Sequence, residues 1–288
     1  MIRIQAAGGL GNQLFVWNLA HHLEDKFKCR IVIHFPASKS DRKCEIQALR
    51  SFCEHQINVV ESDTFNRFVS LVDRLRAKSS VLSKIINIGL RIYQTKLPAD
   101  TFDLVGKKPR IVRGYFQSPD LVSKNIHLYF TELNNLTTHL RQKSPLNQEI
   151  SNSASIFHIR RGDFLNNKEK VGLLKYEYFK NQIRSDETTV IFTDASEGDS
   201  EISTYFEGVK IYGEEIVDTW TSFAFMSFAR KLVTSNSTFS WWAGFLAQAR
   251  GGEVVAPSPW TRTPIYGPNY LSFEGFSYTP ALFYGDKK

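Results

Sequence analysis

The sequence predicts an α/β protein with two Rossmann-like domains facing a cleft. Strand-like and helix-like segments alternate along most of the 288 residues, a pattern typical of parallel sheets joined by crossover helices. The alternation is interrupted at residues 141–153, where Pro145 and many polar residues indicate a linker. We therefore expect an N-terminal domain over residues 1–145 and a C-terminal domain over residues 146–288.

Short apolar runs predict the strands, and apolar residues at helical spacing predict the helices between them. In the N-terminal half the predicted strands are 2–6, 30–35 and 110–116, and the predicted helical regions are 12–27 and 64–93, the second broken near Ser79. In the C-terminal half the predicted strands are 155–159, 190–193, 209–212, 231–234 and 253–256, and the predicted helices are 176–184, 200–206, 218–229 and 238–250.

The formal net charge of +7 suits acidic partners such as nucleotides, nucleic acid or an anionic membrane surface. The basic residues are dispersed and form no stripe with interleaved aromatic residues, so we do not expect nucleic acid as a partner. A non-catalytic protein that binds polyanions is the least favoured alternative. No apolar run approaches the length of about 20 residues that a membrane span requires, so the expected membrane contact is peripheral.

The three cysteines, Cys29, Cys44 and Cys53, lack the spacing of a disulfide framework or a zinc site. We therefore expect no metal site and a reducing compartment. The N-terminal residues enter a strand-like segment at once and lack the basic and apolar regions of a signal peptide. The expected location is the cytoplasm, at most peripheral to the inner face of the membrane.

A glycine-rich loop, GGLGNQ at residues 8–13, joins the first predicted strand to the first predicted helix. Gly9 and Gly11 allow the backbone to approach a ligand, and the N-terminus of the helix favours negative charge. The side chains of Asn12 and Gln13 offer hydrogen-bond donors and acceptors suited to sugar hydroxyls. A tight strand-to-helix connection explains the glycines equally well.

A second loop, HIRRGD at residues 158–163, follows the buried strand that opens the C-terminal half. Because guanidinium groups are always charged, we do not expect Arg160 and Arg161 both to be buried in a core. Ligands of α/β sheets bind beyond the carboxyl ends of the strands, and arginine matches the geometry of phosphate. The loop therefore predicts a phosphate or pyrophosphate site, with a structural Arg–Asp pair as the alternative.

Two further residues of this loop have open roles. Asp163 could orient an arginine, accept a hydrogen bond from a sugar or act as a base, and the orienting role comes first. His158 ends the strand, where a structural role is at least as plausible as catalysis. Asp194, which closes the next predicted strand, is placed to contact a guanine edge or a ribose, although an N-cap explains it almost as well.

A third loop, SNSTFSWW at residues 235–242, precedes the last predicted helix. Asn236, Ser237 and Thr238 offer more polar groups than helix capping needs, and such groups at a helix N-terminus can hold a phosphate. Trp241 and Trp242 are expected in the core rather than in a sugar pocket. The sequence contains no Asp-x-Asp triplet, so arginines and helix dipoles would have to stabilise a charged leaving group without a metal ion.

Four motifs together resemble a known family. They are GGLGNQLF at 8–15, GYFQS at 114–118, HIRRGD at 158–163 and SNSTFSWW at 235–242. Their order and spacing are similar to those of the bacterial-type α-1,2-fucosyltransferases, glycosyltransferase family 11. The resemblance runs from about residue 5 to residue 260.

The resemblance implies a GT-B-type fold and metal-independent, inverting transfer of L-fucose from GDP-fucose to the 2-hydroxyl of a galactoside, with no cofactor. By similarity, Arg160 and Arg161 would bind the pyrophosphate, and Asn12 would lie near the fucose. Ser237, Thr238 and Phe239 would hold the nucleotide. The C-terminal domain would bind the donor, and the N-terminal domain would bind a galactose-terminated oligosaccharide or a lipid-linked glycan. A transferase that uses another nucleotide sugar is the alternative.

Overall fold

The computed structural model describes residues 1–37, 43–95, 108–150, 155–166, 168–195, 200–263, 266–267 and 270–286. The chain divides into two compact units, Met1–Leu136 and Thr137–Lys288. Each unit contains one sheet whose paired strands all run parallel. The predicted α/β class with two Rossmann-like sheets is confirmed.

The sheet of the first unit has five strands in the order β3-β2-β1-β5-β4. The strands are β1 (Ile2–Gln5), β2 (Ile31–Phe35), β3 (Ile57–Glu61), β4 (Ile92–Gln94) and β5 (Ile111–Arg113). The central strand β1 pairs with β2 through Ile4 and Ile33 and with β5 through Ile4 and Val112. Because these apolar residues are buried, they anchor the sheet in the core of the unit.

The helices of the first unit include those in the predicted regions 12–27 and 64–93 and two, at residues 119–125 and 130–143, that were not predicted. The helices are α1 (Leu10–Phe27), α2 (Asp63–Ala77), α3 (Ser80–Leu90), α4 (Pro119–Asn125) and α5 (Phe130–Lys143), and 3-10 turns occupy Glu45–Phe52 and Ile126–Leu128. The predicted break near Ser79 is confirmed, because the Ser79 hydroxyl caps α3 by accepting a hydrogen bond from the N–H of Leu82. The end of the predicted helical region is instead strand β4, because Ile92 packs beside Ile111.

The sheet of the second unit has six strands in the order β11-β10-β9-β6-β7-β8. The strands are β6 (Ser155–Ile159), β7 (Thr189–Thr193), β8 (Lys210–Tyr212), β9 (Lys231–Val233), β10 (Glu253–Ser258) and β11 (Ser277–Pro280). The first five match the predicted strands to within two residues. The sixth was not predicted, because three of its four residues are exposed and leave no apolar pattern.

The helices of the second unit are α6 (Asn147–Ile150), α7 (Tyr176–Lys180), α8 (Ser200–Tyr205), α9 (Thr219–Ser227) and α10 (Thr238–Ala249). The linker predicted at 141–153 is wrong in part, because α5 continues to Lys143 and α6 follows Pro145. A proline disfavours helical geometry in the residue before it, so it separates two helices here rather than marking an unstructured segment.

The position of β6 in its sheet determines where the predicted loops lie. All five residues of β6 are buried, and the strand pairs with β7 on one side and with β9 on the other. In a parallel sheet the carboxyl ends of neighbouring strands meet at one edge. The segments after Ile159, Thr193 and Val233 therefore leave the sheet side by side.

Candidate functional site

The carboxylate of Asp194 connects the two arginines after β6. Its Oδ1 accepts a hydrogen bond from the backbone N–H of Arg161 at 2.6 Å, and its Oδ2 lies 2.8 Å from Arg160 Nη1. A Cβ on Gly162 would lie only 2.2 Å from Asp194 Oδ2, which explains the glycine. In this structure the Asp194 carboxylate positions both arginines, and its contact with a ribose or a guanine edge stays a prediction.

Arg160 is held by two carboxylates. Besides Asp194, it contacts Asp163, whose Oδ1 accepts a hydrogen bond from Arg160 Nη2 at 2.7 Å. This contact matches the orienting role predicted for Asp163. The Arg160 side chain is 13% exposed while that of Asp163 is 50% exposed, so the guanidinium is fixed from the protein side and still borders solvent.

Arg161 is buried whereas Arg160 is only partly buried, in agreement with the expectation that the two arginines would not both lie in a core. Arg161 is 2% exposed, and its guanidinium lies 3.6 Å from the ring centroid of Tyr176. Nη1 donates a hydrogen bond to the carbonyl oxygen of Leu174 at 3.0 Å. A cation–π contact and a carbonyl thus replace water around a buried charge.

The remaining donors of Arg161 are the unusual feature of the site. Its Nε and Nη2 atoms are buried and have no well-aligned hydrogen-bond partner within the described ranges. Buried donors in native proteins nearly always have partners. A buried cation with such donors, next to the partly exposed Arg160, is the arrangement expected of a site that receives an anion.

His158 lies beneath the loop rather than on it. It is buried, and its Nδ1 is 2.9 Å from Ser235 Oγ, while its ring meets that of Phe239 at a centroid distance of 5.2 Å. Burial, with a smaller contribution from the charge of Arg160, lowers the pKa of His158 to about 3. Of the two roles left open by the sequence, this geometry favours the structural one, in which a neutral imidazole ties β6 to the third loop.

The lowered pKa of His158 predicts a loss of stability in acid. The folded protein keeps this imidazole neutral down to about pH 3, whereas an imidazole with the ordinary pKa of 6.5 takes up a proton in the unfolded chain. Between these pH values the unfolded state binds more protons than the folded state. The free energy of unfolding therefore falls by up to about 1.4 kcal/mol for each unit by which the pH is lowered.

Urea unfolding of the wild type and of His158→Gln at several pH values from 7 to 5 checks this prediction. We expect a lower stability for the variant at pH 7 but a shallower decline toward pH 5, because the other histidines contribute equally to both proteins. Parallel declines would show that His158 titrates normally in the folded state.

The third loop forms the N-terminus of α10 in an ordinary capped geometry. Ser237 Oγ accepts a hydrogen bond from the N–H of Phe239 at 3.3 Å. Asn236 is buried, and its Nδ2 donates to the carbonyl oxygens of Val171 and Gly172 at 3.2 and 3.0 Å. The predicted nucleotide contact of the Asn236 amide is thus not supported by the geometry, because both of its donors are used within the protein.

Thr238 and Phe239 of this loop are only partly buried at the start of α10, and the Phe239 ring contacts that of His158. The two tryptophans are core residues, as expected. Trp241 and Trp242 are fully buried, and Trp241 Nε1 donates to the carbonyl oxygen of Leu271 at 2.9 Å.

The glycine-rich loop of the first unit is organised around Asn12. Gly8 has a positive φ of 84°, and a Cβ there would lie 2.4 Å from Asn12 Nδ2. Asn12 Oδ1 accepts a hydrogen bond from Gln117 Nε2 at 2.7 Å, so the motifs at 8–15 and 114–118 meet. Gly9 caps α1, and Gly11 lies buried in its first turn.

Gln13 does not face a ligand, which corrects its predicted sugar-binding role. It is fully buried, and Nε2 donates to the carbonyl oxygens of Gly8 and Lys43 at 2.9 and 2.8 Å. Its Oε1 accepts a hydrogen bond from the N–H of Ile46 at 3.1 Å. The amide therefore ties the glycine-rich loop to the 3-10 turn that follows.

Sequence reasoning missed four residues that support the site: Leu174, Tyr176, Ser235 and Gln117. Two of them, Ser235 and Gln117, stand within motifs but had no assigned role. Tyr176 carries no signal in the sequence that pairs it with Arg161, and Leu174 contributes only a backbone carbonyl. Partners of this kind become visible only once the fold brings distant segments together.

A family comparison identifies the chain. The model of glycosyl transferase family 11 matches residues 1–267. The chain belongs to glycosyl transferase family 11. It is therefore a glycosyltransferase, in agreement with the motifs at 158–163 and 235–242.

Two curated relatives come from Escherichia coli. The O-antigen biosynthesis glycosyltransferase WbnK is 24% identical over 284 residues, which cover 88% of this chain and 93% of the relative. An alpha-1,2-colitosyltransferase is 33% identical over 125 residues, which cover 38% of this chain and 41% of the relative. Of these two relatives, one is named for the sugar that it transfers, colitose.

Solved structures show the same fold at low sequence identity. POFUT1 in complex with GDP has a TM-score of 0.50 and 12% identity, with 88% of this chain and 97% of that chain covered. ADP-heptose lps heptosyltransferase II of E. coli has a TM-score of 0.50 and 15% identity, with 96% and 89% covered. Together with the two parallel sheets, these similarities confirm the predicted GT-B-type fold of this family 11 chain.

Within the described ranges, none of the helices combines the length and the apolar character needed to cross a bilayer.

Proposed function

We propose that the protein transfers L-fucose from GDP-fucose to the 2-hydroxyl of a galactoside and forms an α-1,2 linkage with inversion at the anomeric carbon. The observation that carries this proposal is the arginine pair after β6. Asp194 fixes both residues, and two buried donors of Arg161 have no well-aligned partner in the part of the chain that the structure describes. Such a pair suits the diphosphate of a nucleotide sugar. The four motifs shared with α-1,2-fucosyltransferases support the sugar and the linkage.

In the proposed reaction the acceptor hydroxyl attacks the anomeric carbon while the bond from that carbon to the GDP oxygen breaks. Negative charge then develops on the β-phosphate of the departing GDP. Arg160 and Arg161 stabilise this charge more strongly in the transition state than in the ground state. The proton of the acceptor hydroxyl passes to a base. Asp163 is the candidate for this role that the sequence offers, and its carboxylate also accepts a hydrogen bond from Arg160.

A second candidate donor follows from the relatives. Because a 33% identical stretch belongs to an alpha-1,2-colitosyltransferase, transfer of another deoxy sugar with the same linkage is the main alternative. The polyanion-binding alternative is the least favoured, because the family is one of glycosyltransferases.

A donor screen with linkage analysis tests the proposal. We expect turnover with GDP-fucose and a galactose-terminated oligosaccharide, and a product linked through the 2-hydroxyl of galactose. Turnover restricted to GDP-mannose, a UDP-sugar or a nucleotide-linked colitose would assign the chain to a different donor. Because we propose a metal-independent step, added magnesium or manganese should not accelerate the reaction of chelator-treated protein.

An exposed surface of the first unit fits an acceptor carried by a membrane lipid. We define the α2–α3 surface as six apolar side chains that are 37–78% exposed: Phe68, Leu71, Leu75, Val81, Ile85 and Ile88. Residues 63–91 contain six Lys or Arg and two Asp. Exposed apolar side chains among basic residues are typical of a surface that binds an anionic bilayer. We therefore propose peripheral contact with the cytoplasmic face of a membrane.

Replacing both Ile85 and Ile88 by Asp should weaken binding to vesicles that contain anionic lipid by about ten-fold or more, because each buried aliphatic side chain contributes about 1.5–3 kcal/mol. Co-sedimentation measures the effect. Ile216→Asp is the matched control, because Ile216 is also exposed but lies in the second unit. Equal binding by the wild type and the double variant would exclude this surface, while turnover of a soluble acceptor should be unchanged in all three proteins.

A further inference from the structure

A cluster of potential metal ligands lies in the first unit. His21 of α1, His55 beyond the 3-10 turn and Glu132 of α5 place one ligand atom each within 4.8 Å of one another. No contact described above for the donor site involves these residues. We infer that this cluster is a structural zinc site, which we call the His21–His55–Glu132 site.

The spacing of the two buried ligands fits a bound metal. His21 Nε2 lies 3.2 Å from Glu132 Oε2, and both residues are buried. The edge of a tetrahedral zinc site with nitrogen and oxygen ligands is about 3.3 Å, from bond lengths of about 2.0–2.2 Å. Neither ring nitrogen of His21 has a properly aligned hydrogen-bond partner among the described residues. The contact between His21 and Glu132 therefore has the length expected for two ligands of one ion, but it lacks the alignment of a hydrogen bond.

The charge of Glu132 also calls for a cation. Its Oε2 accepts a hydrogen bond from Trp17 Nε1 at 3.0 Å, but that neutral donor does not balance a buried carboxylate. Buried charges in proteins are paired or bound to metals. A divalent ion at this point would supply the missing positive charge.

The surroundings of His55 match the usual support of a metal-bound histidine. Its Nδ1 lies 3.2 Å from Glu24 Oε2, which leaves Nε2 for an ion. Metal-binding histidines commonly donate their second ring N–H to a carboxylate in this way. The rings of His55 and His21 meet edge to face with centroids 4.8 Å apart, so the two imidazoles converge without stacking face to face.

Cys53 supplies a candidate for the fourth ligand. It precedes His55 by two positions, and its Sγ lies 4.0 Å from the backbone carbonyl oxygen of His55. A set of two imidazoles, one carboxylate and one thiolate favours zinc over calcium or magnesium, which prefer oxygen ligands. The thiol proton would be released to solvent when the metal binds.

The proposed ion would have a structural role. It would join α1, the segment after the 3-10 turn and α5. His21 lies about 13 Å along α1 from Asn12, at 1.5 Å per residue, too far for the ion to contact the glycine-rich loop. The site is therefore compatible with a transfer step that needs no metal, and its test is independent of the proposed function.

Zinc binding by the full chain tests the inference. After removal of metals by a chelator, we expect one equivalent of zinc to bind per chain and to raise the melting temperature by about 5 °C or more at saturating concentration. His55→Asn should abolish the shift. Glu24→Gln should weaken zinc binding about 10–100-fold, because it removes the carboxylate that orients His55.

His127→Asn is the matched control, since His127 is an exposed histidine of the same unit that lies outside the cluster. It should bind zinc as the wild type does. Cobalt in place of zinc should give the visible absorption bands of a tetrahedral site in the wild type and in His127→Asn but not in His55→Asn. Absence of stoichiometric zinc binding, or equal zinc affinity in the wild type and His55→Asn, would overturn the inference.

Discussion

Arg160→Ala is expected to lower kcat/KM with GDP-fucose by about 10²–10³-fold, the usual cost of removing one donor that stabilises a developing oxyanion. The effect should be large because Asp194 and Asp163 already fix the guanidinium, so the bound diphosphate meets a donor that needs no rearrangement. Initial rates at a fixed acceptor concentration measure the loss. A matched control is Arg184→Ala, an exposed arginine of the same unit whose partner is Glu187.

Arg161 requires a different substitution, because removing its buried side chain would leave a cavity against Tyr176. Arg161→Lys keeps the charge but loses the planar group that stacks on the ring and presents several donors. We expect at least about a 10²-fold loss in kcat/KM. If both arginine variants turned over GDP-fucose at nearly the rate of the Arg184→Ala control, the pair would have no part in catalysis.

The fold was predictable wherever strands are buried on both faces. The strand Ser155–Ile159 was predicted to the residue, because all five of its residues are buried and the apolar run is uninterrupted. Strand β3 was not predicted, because only two of its five residues, Ile57 and Val59, are buried. Strands β4 and β11 were missed for the same reason. Their residues are exposed or only partly buried, so their hydrogen bonds depend on neighbours that the local sequence does not specify.

The sequence predicted at which edge of the sheet the site lies, but not which way its side chains point. Loops that follow neighbouring parallel strands had to meet at one edge of the sheet, which placed Arg160 and Asp194 together. The sequence could not show that Gln13 and Asn236 point inward, because their partners are backbone carbonyls of Gly8, Lys43, Val171 and Gly172. Carbonyl groups are present in every residue and leave no signature in a sequence.

The His21–His55–Glu132 site shows the same limit over a longer range. Its ligands come from three segments between residues 21 and 132, so no short sequence motif contains them. The expectation that the chain has no metal site followed from the cysteine spacing and from the lack of short metal-binding motifs, both of which detect only ligands that are close in sequence. Only the packing of α1 against α5 brings His21 to Glu132.

Asp194→Ala should be the most damaging substitution for stability near the donor site. Its carboxylate balances Arg160 and accepts the backbone N–H of Arg161. Removing one partner of a buried ion pair typically lowers the free energy of unfolding by about 3–5 kcal/mol. We therefore expect a clear loss in urea unfolding and a fall in kcat/KM at least as large as that of Arg160→Ala, since both arginines lose their support.

Asp194→Asn removes the negative charge of this side chain but keeps its size and shape. The amide oxygen can still accept the N–H of Arg161, but the charge beside Arg160 is gone, so stability should fall by less than in Asp194→Ala. Asp218→Ala is the control for loss of a carboxylate in the same unit, because Asp218 caps α9 and its removal should cost only about 0.5–2 kcal/mol with little effect on KM for the donor. Asp194→Ala could instead be as stable as Asp218→Ala and bind the donor equally well. The two arginines would then hold their positions without the Asp194 carboxylate, and its close approach to Gly162 would have no functional consequence.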